Sequence, residues 1–229
     1  MITVINKSYD VDVYDIDLFD SNKSIIQELH NDGKKVICYF SGGSYENWRD
    51  DEKQFKVEVL GNDLDEWPGE KWLDIRSDTL HSIMESRFNL AKEKACDGVE
   101  VDNLDAYVNN SGFNLTADDQ ITYNKYIAVE AHKRGLSIGL KNDLDQIVEL
   151  EPFYDFAVNE QCHEYNECDM LKPFTSNNKA VFNAEYNSRY LDDSNMTTLC
   201  DNSNNINFST LILPLELDDT FRYDCKKSK

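Results

Sequence analysis

Ala95-Cys96-Asp97-Gly98-Val99-Glu100-Val101-Asp102-Asn103-Leu104-Asp105 is the stretch on which the reading of this chain turns. A short apolar strand, Val99 to Val101, runs into three closely spaced carboxylates. The period of two in a strand sends Glu100 and Asp102 to one face and Val99 and Val101 to the other. An apolar face toward a helix layer and an acidic face toward a cavity is the make-up of an active-site strand in an α/β barrel.

Outward from that strand, the pattern alternates strand and helix. Val11 to Asp17 alternates with period two. Ser24 is placed to cap a helix carrying Ile25, Ile26 and Leu29, and that helix stops at Asn31-Asp32-Gly33. Lys35 to Phe40 is the next strand and ends at Ser41-Gly42-Gly43-Ser44. A long polar segment with Trp48, Trp67, Pro68 and Trp72 reads as a structured loop. Leu80, Ile83, Met84, Arg87, Leu90 and Ala91 recur at helical spacing and predict a helix ending near Cys96. Thr116-Ala117-Asp118-Asp119 resembles a capping box, and its helix runs to about Arg134, before Gly135. Four further strands are expected over Leu136 to Leu140, Phe153 to Val158, Ala180 to Ala184 and Thr210 to Leu217.

Seven strands, each leading into polar residues, imply a parallel sheet with its chemistry at the strand C-termini. The expected fold class is α/β, a (β/α)8 TIM-like barrel in one domain over residues 1–229. With about ten residues before Val11, the first strand is expected to be missing or reduced to a remnant over Ile2 to Ile5. No Gly-rich phosphate loop follows any strand, which argues against a nucleotide-binding sheet.

The net charge of −21 repels nucleic acid and anionic membranes and favours cationic ligands. No run of about 18 apolar residues is present to span a membrane. Six cysteines show no zinc spacing; disulfides across the Cys162/Cys168 and Cys200/Cys225 gaps fit an oxidising compartment. Asn-x-Ser/Thr sequences begin at Asn6, Asn22, Asn109, Asn114, Asn195 and Asn207. Together the cysteines and these sequences point to a secreted glycoprotein, and a monomer is expected.

Glycosidic bonds are cleaved between two carboxyl groups from different strands. Asp102 and Glu160, each at a strand end, meet that requirement. The apolar run before Glu160 is expected to desolvate its carboxyl and raise its pKa, as suits a general acid. Glu100, Asp105, Asp143, Glu185 and Glu216 are further acids that spacing does not rank. Asp17, Tyr39, Glu100, Asn103, Asp105, Lys141, Asn142, Glu185 and Tyr186 are expected to bind substrate; Lys141 can also pair with an acid, and Tyr39, Tyr107 and Tyr186 can stack on sugar rings. No calcium-type loop, histidine ligand spacing or nucleophile elbow occurs, so neither metal nor cofactor is expected. A chitinase-like Asp-Gly-x-Asp-x-Asp-x-Glu strand aligns with Asp97, Gly98, Glu100 and Asp102, but Leu104 stands at the position of the acid, which excludes that mechanism.

Val36-Ile37-Cys38-Tyr39-Phe40-Ser41-Gly42-Gly43-Ser44 with Asn47-Trp48-Arg49-Asp50 resembles a signature of glycoside hydrolase family 114, the endo-α-1,4-polygalactosaminidases. The resemblance continues through Trp67 to Ile75, Gly98 to Tyr107, and Phe156 to Cys162 with Tyr165 to Cys168. Val101 and Ala106 stand where the family pattern has Pro and Gly. The resemblance implies a TIM-like barrel that hydrolyses α-1,4-linked galactosamine polymers by retention. Its nucleophile would fall on Asp102 and its acid/base on Glu160. An alternative is a catalytically inactive carbohydrate-binding or adhesion protein on the same barrel.

Overall fold

The structure, a computed structural model, describes residues 5–226. Packing divides the chain at residues 139/140, inside one strand, into two compact units.

The first unit opens with β1 (Val13–Asp17), α1 (Lys23–Asn31) and β2 (Lys35–Ser41). Next come three short strands, β3 (Ser44–Glu46), β4 (Leu60–Asp63) and β5 (Glu70–Leu73), and then α2 (Asp78–Lys94). The unit closes with β6 (Gly98–Asp102), α3 (Ala117–Lys133) and the start of β7 (Ser137–Lys141). β1, β2 and β6 are parallel neighbours, with Asp17 opposite Tyr39 and Ser41 opposite Asp102. The strand C-termini and their polar residues therefore line up at one end.

The helices hold that end in place. One face of α2 buries Leu80, Ile83, Met84, Phe88 and Ala91, and Phe88 meets Phe40 of β2 edge-on at 5.3 Å. Arg87, on the same face and 1% exposed, grips Asp51 through Nε at 2.8 Å and Nη2 at 2.9 Å. Its Nη1 donates to the Ser41 carbonyl at 2.6 Å, so α2 fixes the segment that leaves β2. From α3, Tyr123 Oη donates to the Gly42 carbonyl at 2.7 Å and Asn124 Nδ2 to the Leu104 carbonyl at 2.9 Å. The turns after β2 and β6 are thus held from below by buried polar groups.

The second unit contains the end of β7, α4 (Ile147–Leu150), β8 (Phe156–Glu160), α5 (Cys162–Tyr165) and α6 (Lys172–Ser176). It continues with β9 (Val181–Glu185), α7 (Asp193–Asn205), β10 (Ser209–Ile212) and β11 (Tyr223–Asp224). β8, β9 and β10 are parallel neighbours, and β11 closes on β10 antiparallel. Tyr190, Leu199, Ile212 and Cys225 pack as a cluster beside the Cys200–Cys225 disulfide.

All seven expected strands are present, and the Thr116/Asp119 capping box forms in both directions. Several boundaries differ from expectation. Asn22, not Ser24, is the N-cap of α1, and it makes no side-chain cap bond. The strand expected from Phe153 begins at Phe156, because Pro152 sits in a 3-10 turn over Glu151–Phe153. The last parallel strand ends at Ile212 rather than Leu217, shortly before Pro214, which has no N–H to donate. The segment read as a structured loop is a three-stranded antiparallel sheet in the order β3-β5-β4. Besides the two anticipated disulfides, Cys38 on β2 joins Cys96 across 58 residues. The remnant strand expected over Ile2 to Ile5 lies, apart from Ile5, outside the described residues. Among the described residues, no helix is long and apolar enough to cross a membrane.

Candidate active site

In β6, Val99 and Val101 are fully buried, while the opposite face carries Glu100, 6% exposed, and the half-buried Asp102. Two donors fix the Asp102 carboxylate: Tyr39 Oη to Oδ2 at 3.0 Å and the Asn103 N–H to Oδ1 at 2.8 Å. The second bond depends on a sharp turn, since Asn103 is left-handed with φ 61°. Asn tolerates that conformation better than most side chains. The turn after β2 closes on the same point, because the Gly42 and Gly43 N–H groups both donate to the Asp102 carbonyl, at 2.9 and 3.1 Å. A Cβ on Gly43 would lie 1.7 Å from the Asn103 carbonyl oxygen, so that approach requires glycine.

A buried polar chain backs this turn. Asn103 Oδ1 accepts from Ser41 Oγ at 2.7 Å and Ser44 Oγ at 3.2 Å, and Ser44 Oγ lies 2.7 Å from Glu70 Oε2. Burial pushes the Glu70 carboxyl above its ordinary pKa; Ser44 opposes this and the nearby charge of Asp102 reinforces it. Asp17 accepts a two-pronged contact from Arg49, at 3.1 and 2.7 Å, and its Oδ1 also takes the Phe19 and Asp20 N–H groups, each at 2.8 Å. Asp105 is half-buried and begins the turn over Ala106–Val108. Asp97, at the other end of β6, holds His30, Lys35 and the Val36 N–H.

In the second unit, Glu160 ends β8. Tyr186 Oη donates to its Oε1 at 2.6 Å, Asn142 Nδ2 to its Oε2 at 3.2 Å, and Lys141 Nζ stands 3.6 Å from Oε2. Its backbone N–H donates to Asn142 Oδ1 at 3.0 Å. Burial pushes the Glu160 carboxyl up, as expected from the sequence. The positive Lys141 and the hydrogen bonds from Tyr186 and Asn142 outweigh it, so the net direction is down. That corrects the expectation of a raised pKa: in the substrate-free protein Glu160 favours its charged form. The strand-end turns again use left-handed residues, Asn142 at φ 48°, Asp143 at 47° and Gln161 at 62°.

Glu185, at the end of β9, is fully buried. Its Oε1 accepts the His163 N–H at 2.8 Å and Asn183 Nδ2 at 3.1 Å, which ties β9 to the turn just after Glu160. Burial also raises the pKa of this carboxyl. Asp143 is buried, and Glu216 lies exposed in the loop beyond β10. Tyr107 is half-buried beside Asp105.

Ser41, Ser44, Glu70 and Asn159 belong to these networks without having been singled out in the sequence. Asn159 is 1% exposed and donates to Asn142 Oδ1 at 3.2 Å. Ser41 and Asn159 stand within one residue of a strand C-terminus, a position the sequence marks, whereas Ser44 and Glu70 begin strands that carry no such signal.

The family model described as glycoside-hydrolase family GH114 matches residues 2–229. Among solved structures, Ega3 of Aspergillus fumigatus in complex with galactosamine is similar at 45% identity and a TM-score of 0.92, over 97% of this chain and 91% of that one. The glycoside hydrolase domain of PelA from Pseudomonas aeruginosa is similar in fold alone: 11% identity and a TM-score of 0.71, over 92% of this chain and 90% of that one. Among curated proteins none matches. The fold is the α/β, TIM-like barrel type expected from the strand–helix alternation. With the family pattern matched from residue 2 to residue 229, the chain belongs to glycoside-hydrolase family GH114 and is a glycosidase.

Proposed function

We propose that this single-domain glycosidase hydrolyses α-1,4-linked galactosamine polymers from within the chain, with retention, using Asp102 and Glu160. The observation that carries the substrate reading is 45% identity to Ega3, whose structure holds galactosamine. The net charge of −21 supports capture of a polymer whose free amines are cationic.

In the first step Glu160 gives its proton to the glycosidic oxygen while Asp102 attacks the anomeric carbon. The C–O bond to the leaving chain breaks and an ester to Asp102 forms. In the second step Glu160 takes a proton from water, the resulting hydroxide displaces Asp102, and both carboxyls return to their starting states. Tyr39 and the Asn103 N–H orient the nucleophile. Glu160 must be protonated to begin, yet its pKa is lowered, so activity is expected to be highest at acidic pH and to fall as pH rises through the Glu160 pKa. The amino groups of the substrate stay charged throughout that range.

Glu100, Asp105, Lys141, Asn142 and Tyr186 contribute contacts to the sugar or to the two acids. Glu185, buried against the His163 N–H, acts by holding the turn that carries Glu160. Three disulfides and six sequon asparagines, all exposed, support a secreted, glycosylated protein. Proton NMR of a galactosaminan digest tests the mechanism. Newly formed reducing ends should appear first as the α-anomer; initial release of the β-anomer would show inversion and remove Asp102 as nucleophile.

A further inference from the structure

Trp48 and Trp67 are 52% and 49% exposed, whereas Trp72, the third tryptophan of the chain, is 8% exposed. A tryptophan left half in water forgoes much of the largest apolar burial any side chain offers. Both lie on turns of the small antiparallel sheet, and those turns are joined: the Asn47 N–H donates to the Gly69 carbonyl at 3.1 Å. Gly69 has φ +100°, and a Cβ there would lie 2.8 Å from Asn47 Oδ1, so the two turns approach as closely as they can. The turn bearing Trp67 is closed by the Trp67 N–H donating to the Leu64 carbonyl at 3.3 Å and the Glu70 N–H donating to the Trp67 carbonyl at 3.1 Å. The turn bearing Trp48 is anchored by the buried Arg49 on Asp17 and Glu46. Leu64 and Trp72 pack with Ala106 beneath. Exposed indoles on turns fixed in this way form a preorganised surface.

The same sheet reaches Asp102. Ser44, at the start of β3, links Asn103 to Glu70, at the start of β5, in the polar chain behind the Asp102 turn. Asn47 follows β3 three residue steps after Ser44, about 10 Å along an extended chain. The surface is acidic, with Asp50, Asp65 and Glu66 exposed next to the two indoles in sequence.

We infer that Trp48 and Trp67 form a distal subsite that binds further rings of a cationic amino-sugar polymer; this rests on the substrate reading above. Apolar C–H faces of the sugar stack on the indoles, the ammonium groups gain cation–π attraction, and the flanking carboxylates complement their charge. N-acetylation removes the cation, so the subsite favours de-N-acetylated chains.

The test compares kcat/KM on long de-N-acetylated galactosaminan with that on the shortest oligomer cleaved. Trp48→Ala and Trp67→Ala should each lower the ratio of long to short about 3- to 10-fold, with Trp67→Tyr recovering most of it. Acrylamide quenching of the unaltered protein supplies an independent reading, because two of its three tryptophans are exposed. Added galactosaminan should protect them, and N-acetylated polymer should protect them less. An unchanged ratio together with unprotected tryptophans overturns the subsite. Failure of the unaltered protein to cleave galactosaminan at all would instead overturn the substrate reading.

Discussion

Replacing Lys141 by Met separates the two roles open to Glu160. Nζ and Oε2 are 3.6 Å apart, and Lys141 is only 6% exposed. At an effective dielectric near 20, unit charges at that distance attract by about 4–5 kcal/mol, a ceiling that water entering the vacated space reduces. Lys141 leads the groups that hold the Glu160 pKa down against burial. Met fills a similar volume without charge, so burial is left opposed only by Tyr186 and Asn142, and the Glu160 pKa rises. If Glu160 is the proton donor, the protonated form is the active one, and the limb of kcat/KM that falls toward high pH moves to higher pH. If Glu160 were the nucleophile, the ionised form would be needed, and the limb that falls toward low pH would move instead. The assay is a pH–rate profile of kcat/KM for both proteins on one galactosaminan preparation. Neither limb moving would refute the coupling between Lys141 and Glu160.

Other consequences are independent of that assignment. Tyr186→Phe deletes a 2.6 Å hydrogen bond to the Glu160 carboxylate; it should cost about 1.5–3 kcal/mol where the charged form counts and move the Glu160 pKa upward in the same pH profile. Gly43→Ala would force a methyl to within 1.7 Å of the Asn103 carbonyl oxygen. A loss of about 1–3 kcal/mol in a denaturant melt, with weakened activity, is expected there, and a neutral result would contradict the close approach of the β2 turn to Asp102. Removing the Cys38–Cys96 bond, which closes 58 residues, should cost about 4 kcal/mol in the chain-entropy picture, a large share of a domain's stability, readable as a drop in Tm in Cys38→Ser.

Much of the fold could be read locally. Strands with period two, such as Val13–Asp17 and Gly98–Asp102, and the Thr116/Asp119 box are set by neighbours a few residues apart. What escaped the sequence was built across distance. β3 and β5 pair over an interval that holds two tryptophans and a Pro-Gly turn, and no periodicity marks them as strands. Cys38 and Cys96 meet only because β2 and β6 are neighbours. The strand-end position of Glu160 was legible, but its electrostatics were not. The apolar run before it predicted the burial that raises its pKa, while Lys141, Asn142 and Tyr186, from adjacent strands, reverse the sign.

The central claim, that Asp102 and Glu160 together cleave galactosaminan, is tested most directly by the activity of Asp102→Asn and Glu160→Gln. Both substitutions keep side-chain size and remove only the carboxyl chemistry. Each is expected to lower kcat on de-N-acetylated galactosaminan by about 100-fold or more while the folded protein still binds the polymer. Full activity in either variant would contradict the two-carboxylate mechanism.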